Sequence, residues 1–70
     1  MSVDEIIIGF YSDFVTNTES ELISRGYDPD KIFEKKMLLL EQYAGDGKEP
    51  SKISCFYVNY IAYLIPMMRK

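Results

Sequence analysis

Apolar residues in the first third of the chain recur at the three- and four-residue spacing of a helix. They are Val3, Ile6, Ile7, Phe10, Tyr11, Phe14 and Val15, with polar residues opposite. Ser2 and Glu5 form a capping-box sequence at the start, and Gly26 offers a C-terminal stop. The pattern weakens at residues 16–18, where Thr18 and Glu21 could form a second capping box. We predict one helix over about residues 3–25, with two shorter helices as the alternative.

Two further helices follow after short links. Asp28 suits an N-cap and Pro29 a first helical position, so a second helix is predicted over residues 29–44, ended by Gly45. The third is predicted over residues 51–68, starting at Ser51 or with Pro50 in its first turn, and Pro66 is expected to kink or fray its end. The sequence therefore predicts an all-α, three-helix bundle in a single domain, residues 1–70.

The third helix is apolar on more than one side, and residues 53–68 carry no charge. Its positions sort into a core face, a tyrosine-rich second face and a narrow strip of smaller residues. The core face is Ile53, Tyr57, Ile61, Leu64, Ile65 and Met68. The second face is Phe56, Tyr60, Tyr63 and Met67, and the strip is Cys55, Asn59, Ala62 and Pro66. A surface helix of a small bundle normally shows one apolar stripe.

The second face is therefore predicted to contact another chain, because tyrosine and methionine are favoured at protein interfaces. One alternative is that both faces are core, with the first two helices packed around the third. Another is a membrane anchor. The uncharged run of 16 residues would span about 24 Å, short of the roughly 30 Å of a hydrocarbon core.

The composition bounds the chemistry. A chain of 70 residues with one cysteine and no histidine has neither an internal disulfide nor an ordinary zinc site. Cys55 lies in an apolar stretch and is expected to be a packing residue rather than a nucleophile. No signal peptide is visible, and the single cysteine fits a cytoplasmic protein. No phosphate-binding glycine motif occurs either. We expect a protein that is not an enzyme and that uses no cofactor or metal.

Charge is distributed unevenly along the chain. The net charge is −3, and residues 1–30 carry seven acids against the single base Arg25, a local net of −6. Direct nucleic-acid binding is therefore not expected. An acidic mimic that blocks a nucleic-acid-binding protein is an alternative, although these acids do not form a regular stripe on a helix.

Lys36 projects into the apolar face of the second helix. In the simpler interpretation its stem is buried and its ammonium group reaches water or an acid of the first helix. In the other, it is an interface lysine that meets an acidic partner. Leu38 falls on the polar side of the same helix and is expected to be exposed.

These observations favour a non-enzymatic protein–protein interaction module, a small acidic regulator or inhibitor. We expect it to bind a protein partner and to form a homo-oligomer through the third helix. The candidate partner-binding residues are Phe56, Tyr60, Tyr63, Met67 and Lys36. Residues 16–18 could be a hinge, a helix end or a contact site.

Overall fold

The computed structural model describes residues 2–70, which form three α-helices joined by short links. Helix α1 spans Val3–Ser24, α2 spans Pro29–Ala44 and α3 spans Pro50–Met68. No strand occurs among the described residues. The predicted all-α three-helix bundle is confirmed, and each helix boundary lies within one residue of its predicted position.

Local signals in the sequence explain where α1 begins and ends and where α2 begins. The Ser2 hydroxyl oxygen accepts a hydrogen bond from the Glu5 amide at 3.3 Å, which caps the start of α1. Gly26, at φ +99°, lets the chain turn so that the Tyr27 amide bonds the Leu22 carbonyl at 3.1 Å, the pairing of a Schellman motif. Asp28 then caps α2 by accepting from the Asp30 amide at 2.9 Å.

Residues 16–18 lie in the middle of α1, which is one continuous helix as predicted. Thr18 is buried, and its hydroxyl donates to the Phe14 carbonyl at 2.7 Å. This back-bonding satisfies the hydroxyl within the helix. Thr18 therefore does not start a second helix, and residues 16–18 are neither a helix end nor a break in the hydrogen-bonded helix.

Pro66 does not end α3. The helix continues past it to Met68, and the Arg69 amide still donates to the Ile65 carbonyl at 3.2 Å. Pro66 therefore does not fray this end, and of the two expected effects the kink stays a prediction. At the other end α3 starts with Pro50 in its first turn, one of the two predicted starts.

Helix α3 packs against both α1 and α2, whereas α1 and α2 contact each other only weakly. Short links make α2 antiparallel to both neighbours, so α1 and α3 run in the same direction. Tyr11 of α1 lies beside Tyr57 of α3, and the Arg25 guanidinium donates to the Met68 carbonyl at 3.0 Å. The buried apolar core comprises Val15, Leu22, Ile32, Leu39, Ala44, Phe56, Tyr60 and Leu64.

Candidate interaction surface

The predicted contact face of α3 lies largely inside this chain. Phe56 is 2% exposed and Tyr60 is completely buried, and Tyr63 and Met67 are half-buried against the same core. This placement corrects the expectation that the face is open to another chain. The alternative weighed from the sequence, in which both faces of the third helix are core, describes the packing better.

The buried line of α3 runs along the boundary between the two predicted faces. Phe56, Tyr60 and Leu64 are spaced four residues apart and are the buried residues of the helix. Of the predicted core face, Ile65 is exposed and Tyr57 only half-buried. The reason is that α1 and α2 flank α3 on two sides, so its buried surface is centred between the side chains that face each neighbour.

One polar side chain from each helix meets the other two at a partly exposed point between the helices. The Tyr60 hydroxyl donates to Glu19 Oε2 at 2.5 Å, and Lys36 Nζ lies 3.1 Å from the same oxygen. Lys36 Nζ also lies 5.7 Å from the centre of the Tyr60 ring. The simpler interpretation of Lys36 is therefore the observed one: its ammonium group pairs with an acid of the first helix. We call this cluster the Glu19–Tyr60–Lys36 junction.

The junction holds the helices together rather than offering a reactive group. Burial, followed by the hydrogen bond to Glu19, the negative charge of Glu19 and a smaller electrostatic effect of the Tyr63 phenol, raises the pKa of Tyr60 well above its usual value. The phenol therefore stays protonated and acts as a donor. Because its side chain is sealed from solvent, it cannot act as a general base on a bound substrate.

Glu19 is the residue of this junction that the sequence did not single out, because it belongs to the polar residues opposite the predicted apolar face of α1. Its spacing carried the signal. Glu19 lies four residues after Val15 and three before Leu22, both of which are buried. An acid on that line is a natural partner for a lysine on the apolar face of the next helix.

Most of the exposed large apolar side chains of α1 lie between residues 3 and 14, and Ile23 lies apart from them. We call Val3, Ile7, Phe10 and Phe14 the α1 strip; they are 70%, 38%, 69% and 47% exposed, respectively. Their spacing of four, three and four residues places them on one narrow line, like the seam of a two-helix coiled coil. Ile6, also exposed, borders this line. Val15 is the first buried residue of α1, and of the predicted apolar face before it only Tyr11 is half-buried. The other helices therefore leave most of this face uncovered in the first half of α1.

A second uncovered apolar area lies on α2. Phe33, Met37, Leu38 and Leu40 line an open groove of about 500 Å³ that ends at Gly45. Leu38 is exposed, as predicted. Two acids, Glu34 and Glu41, share the lining of this groove.

Cys55 is exposed, so the expectation that it is a packing residue is wrong. It lies on the side of α3 that faces neither α1 nor α2. Among residues 2–70, no cluster of acids and cysteine could hold a metal ion. Over the same residues, no helix combines the length and apolar composition needed to cross a membrane.

No family model, no curated protein and no solved structure matches this chain. Functional statements about it therefore rest on its own residues and their contacts.

Proposed function

We propose that this chain is a non-enzymatic protein–protein interaction module, a small acidic regulator or inhibitor that acts by binding another protein. The α1 strip is the observation that carries this proposal. Four apolar side chains, two of them phenylalanines, form a regular line that the chain itself leaves uncovered. Contiguous exposed apolar patches of this kind commonly mark interaction sites.

The internal chemistry of the bundle supports the same function. The polar groups of Glu19, Lys36 and Tyr60, which meet between the helices, bond to each other. No buried side-chain nitrogen or oxygen among the described residues is left without a partner. Such groups fix the arrangement of the helices and leave no unpaired donor or acceptor aimed at a substrate.

The acidic-mimic alternative receives less support. A mimic presents free carboxylates in place of phosphates. Glu19 is committed to Lys36, and Glu21 forms an ion pair with Arg25 at 2.9 Å. The exposed free thiol of Cys55 is compatible with a reducing compartment, and we keep the cytoplasm as the proposed location.

The test is quantitative affinity capture from extracts of the cells that encode the protein. Wild type is compared with Phe10→Asp, which places a charge on the α1 strip, and with Phe33→Asp, a matched exposed phenylalanine on α2. We expect a protein that wild type and Phe33→Asp both recover and Phe10→Asp loses. Circular dichroism checks that all three are equally helical. Identical recoveries for wild type and Phe10→Asp would contradict the α1 strip as the binding surface.

A further inference from the structure

The α1 strip lies on the side of the α1–α3 pair that α2 does not cover. On α1, Tyr11 faces α3 through its contact with Tyr57, and Glu19 faces α2 through Lys36. At about 100° per residue, the strip lies roughly 40° to 100° beyond Tyr11, turning away from Glu19. It therefore borders the junction of α1 and α3 on the side opposite α2.

Helix α3 presents apolar residues to the same side. Tyr57 faces α1, and Tyr63 lies on the α2 side, under the ammonium group of Lys35. Val58 and Ile65, both exposed, lie roughly 80° to 100° beyond Tyr57, turning away from Tyr63. Since α1 and α3 are parallel neighbours, Val58, Ile65 and the α1 strip lie on the same side of this pair, with Val58 level with the strip and Ile65 level with the last turns of α1. We call this side the α1–α3 face.

We propose, building on the interaction function above, that a second copy of this chain covers the α1–α3 face. The two copies are related by a two-fold axis parallel to the helices, so that α1 of each packs on α3 of the other. An isologous contact of this kind buries the same surface on both chains. The core of the dimer is then a four-helix arrangement of two α1–α3 pairs, with the α2 helices on its two outer sides.

The size of the face fits this occupant. Its six exposed side chains present on the order of 500 Å² of apolar surface, taking about 150–250 Å² for a whole aromatic side chain. A standard interface buries about 800 Å² on each partner, and homodimer interfaces are about 65% apolar. The apolar part of such an interface is therefore about as large as the surface that this chain leaves uncovered.

Charge selects the arrangement. Helix α1 carries five acids and no base, whereas residues 50–70 carry three bases and no acid. An axis parallel to the helices places α1 on the partner's α3 and brings opposite charges together. An axis across the helices would place α1 on the partner's α1, two helices that each carry five acids and no base, although Glu19 of each faces its own α2. Like charges facing each other disfavour that second arrangement.

One pair of residues makes the arrangement testable. Glu21 follows Phe14 by seven residues and continues the line of the α1 strip, and Arg69 follows Ile65 by four residues on α3. Both lie at the same end of the bundle, where Arg25 bonds the Met68 carbonyl. In the proposed dimer Glu21, which pairs with Arg25 of its own chain at 2.9 Å, also lies near the partner's Arg69.

The experiment is sedimentation of the purified chain over a range of concentrations, with three sets of variants. Wild type is expected to dimerise. Phe10→Asp should weaken the dimer at least tenfold, while Phe33→Asp, on the α2 groove, leaves it unchanged. Glu21→Lys should weaken it a few-fold, the usual range for an exposed charge pair, and Glu21→Lys with Arg69→Glu should restore it. Circular dichroism on each variant separates loss of association from loss of folding.

Each other outcome overturns the inference. At about 1 mM, an association free energy of only about −4 kcal/mol would produce dimers. A wild-type chain that is still monomeric at this concentration refutes the proposal that a second copy covers the face. A stronger dimer for Glu21→Lys indicates α1 against α1 and refutes the arrangement. Binding to lipid vesicles that Phe10→Asp abolishes, with no dimer in solution, identifies a lipid surface as the occupant.

Failure of the dimer is distinguishable from failure of the proposed function. If the chain is monomeric and its capture of another protein still depends on Phe10, the proposed interaction function stands and the proposed dimer is refuted. If Phe10→Asp alters neither self-association nor capture, both proposals are refuted.

Discussion

Removing the Tyr60 hydroxyl should destabilise the fold more than removing the Lys36 charge, although both groups contact the same oxygen of Glu19. Tyr60→Phe deletes a buried hydrogen bond to a charged acceptor, which is worth about 1.5–3 kcal/mol. Glu19 keeps Lys36 in this variant, so we expect the lower end, about 1.5 kcal/mol. Lys36→Met removes an ion pair that is partly open to water, which is worth about 0–1 kcal/mol.

Glu19→Ala should be the most damaging of the three changes. It leaves the Tyr60 hydroxyl buried without an acceptor, at about 1–3 kcal/mol, and it also removes the partner of Lys36. A total of about 2–3 kcal/mol is a large share of the stability of a 70-residue chain, for which about 0.05–0.15 kcal/mol per residue is typical. The expected order of destabilisation is Glu19→Ala, then Tyr60→Phe, then Lys36→Met.

Chemical denaturation followed by far-ultraviolet circular dichroism measures these differences. All variants are compared at one protein concentration, because dimerisation would add to the apparent stability. The double variant Glu19→Ala with Tyr60→Phe should cost little more than Glu19→Ala alone, which gives a coupling of about 1–2 kcal/mol. Additive effects within about 0.5 kcal/mol, or a Lys36→Met variant less stable than Tyr60→Phe, would refute the central role of the hydrogen bond.

Three further predictions concern the pH dependence of stability, the burial pattern and two glycines. The raised pKa of Tyr60 means that the folded chain holds the phenol proton more tightly than the unfolded chain does. The contribution of this group to the free energy of unfolding is therefore complete below about pH 10 and falls above it by up to about 1.4 kcal/mol per pH unit. Denaturation midpoints measured against pH should fall less steeply for Tyr60→Phe than for wild type, and equal slopes would contradict this. Leu22→Ala should lower the free energy of unfolding by about 2–5 kcal/mol because Leu22 is fully buried. Phe10→Ala should change the stability of the monomer by less than about 1 kcal/mol. Similar losses of stability for the two variants in thermal unfolding would contradict the burial pattern. Gly45→Ala should destabilise the fold by about 1–3 kcal/mol because Gly45 adopts φ +57°. Gly9→Ala should instead stabilise α1 by about 0.5–1 kcal/mol, because an added Cβ meets open space there. A destabilised Gly9→Ala would show that another group occupies that space.

The helices could be predicted because their boundaries depend on local chemistry. Asp28 before Pro29 determines a helix start, and Gly26 and Gly45 adopt the positive φ angles at which helices end. Each of these effects acts over a few residues. No knowledge of the neighbouring helices is needed to predict them.

Burial was predicted less well because it depends on where the neighbouring helices lie. Phe56 and Tyr60 were assigned to an open face, and Val3 and Phe10 to an apolar core stripe, yet the first two are buried and the other two exposed. Periodicity identifies which residues share a side of a helix. It does not identify which side meets the next helix when, as in α1 and α3, apolar residues occupy more than one side.

The uncovered apolar residues of α1 have a thermodynamic consequence for the chain. A helix that met only water along this line could carry polar residues there without weakening the core, because none of the line's side chains is buried. In the proposed dimer these side chains leave water, and each buried CH₂ group contributes about 0.8 kcal/mol. That gain has to exceed the estimated 4–15 kcal/mol that association costs, with side-chain ordering in addition. We therefore expect substitutions in the first half of α1 to change association more than they change the stability of the single chain.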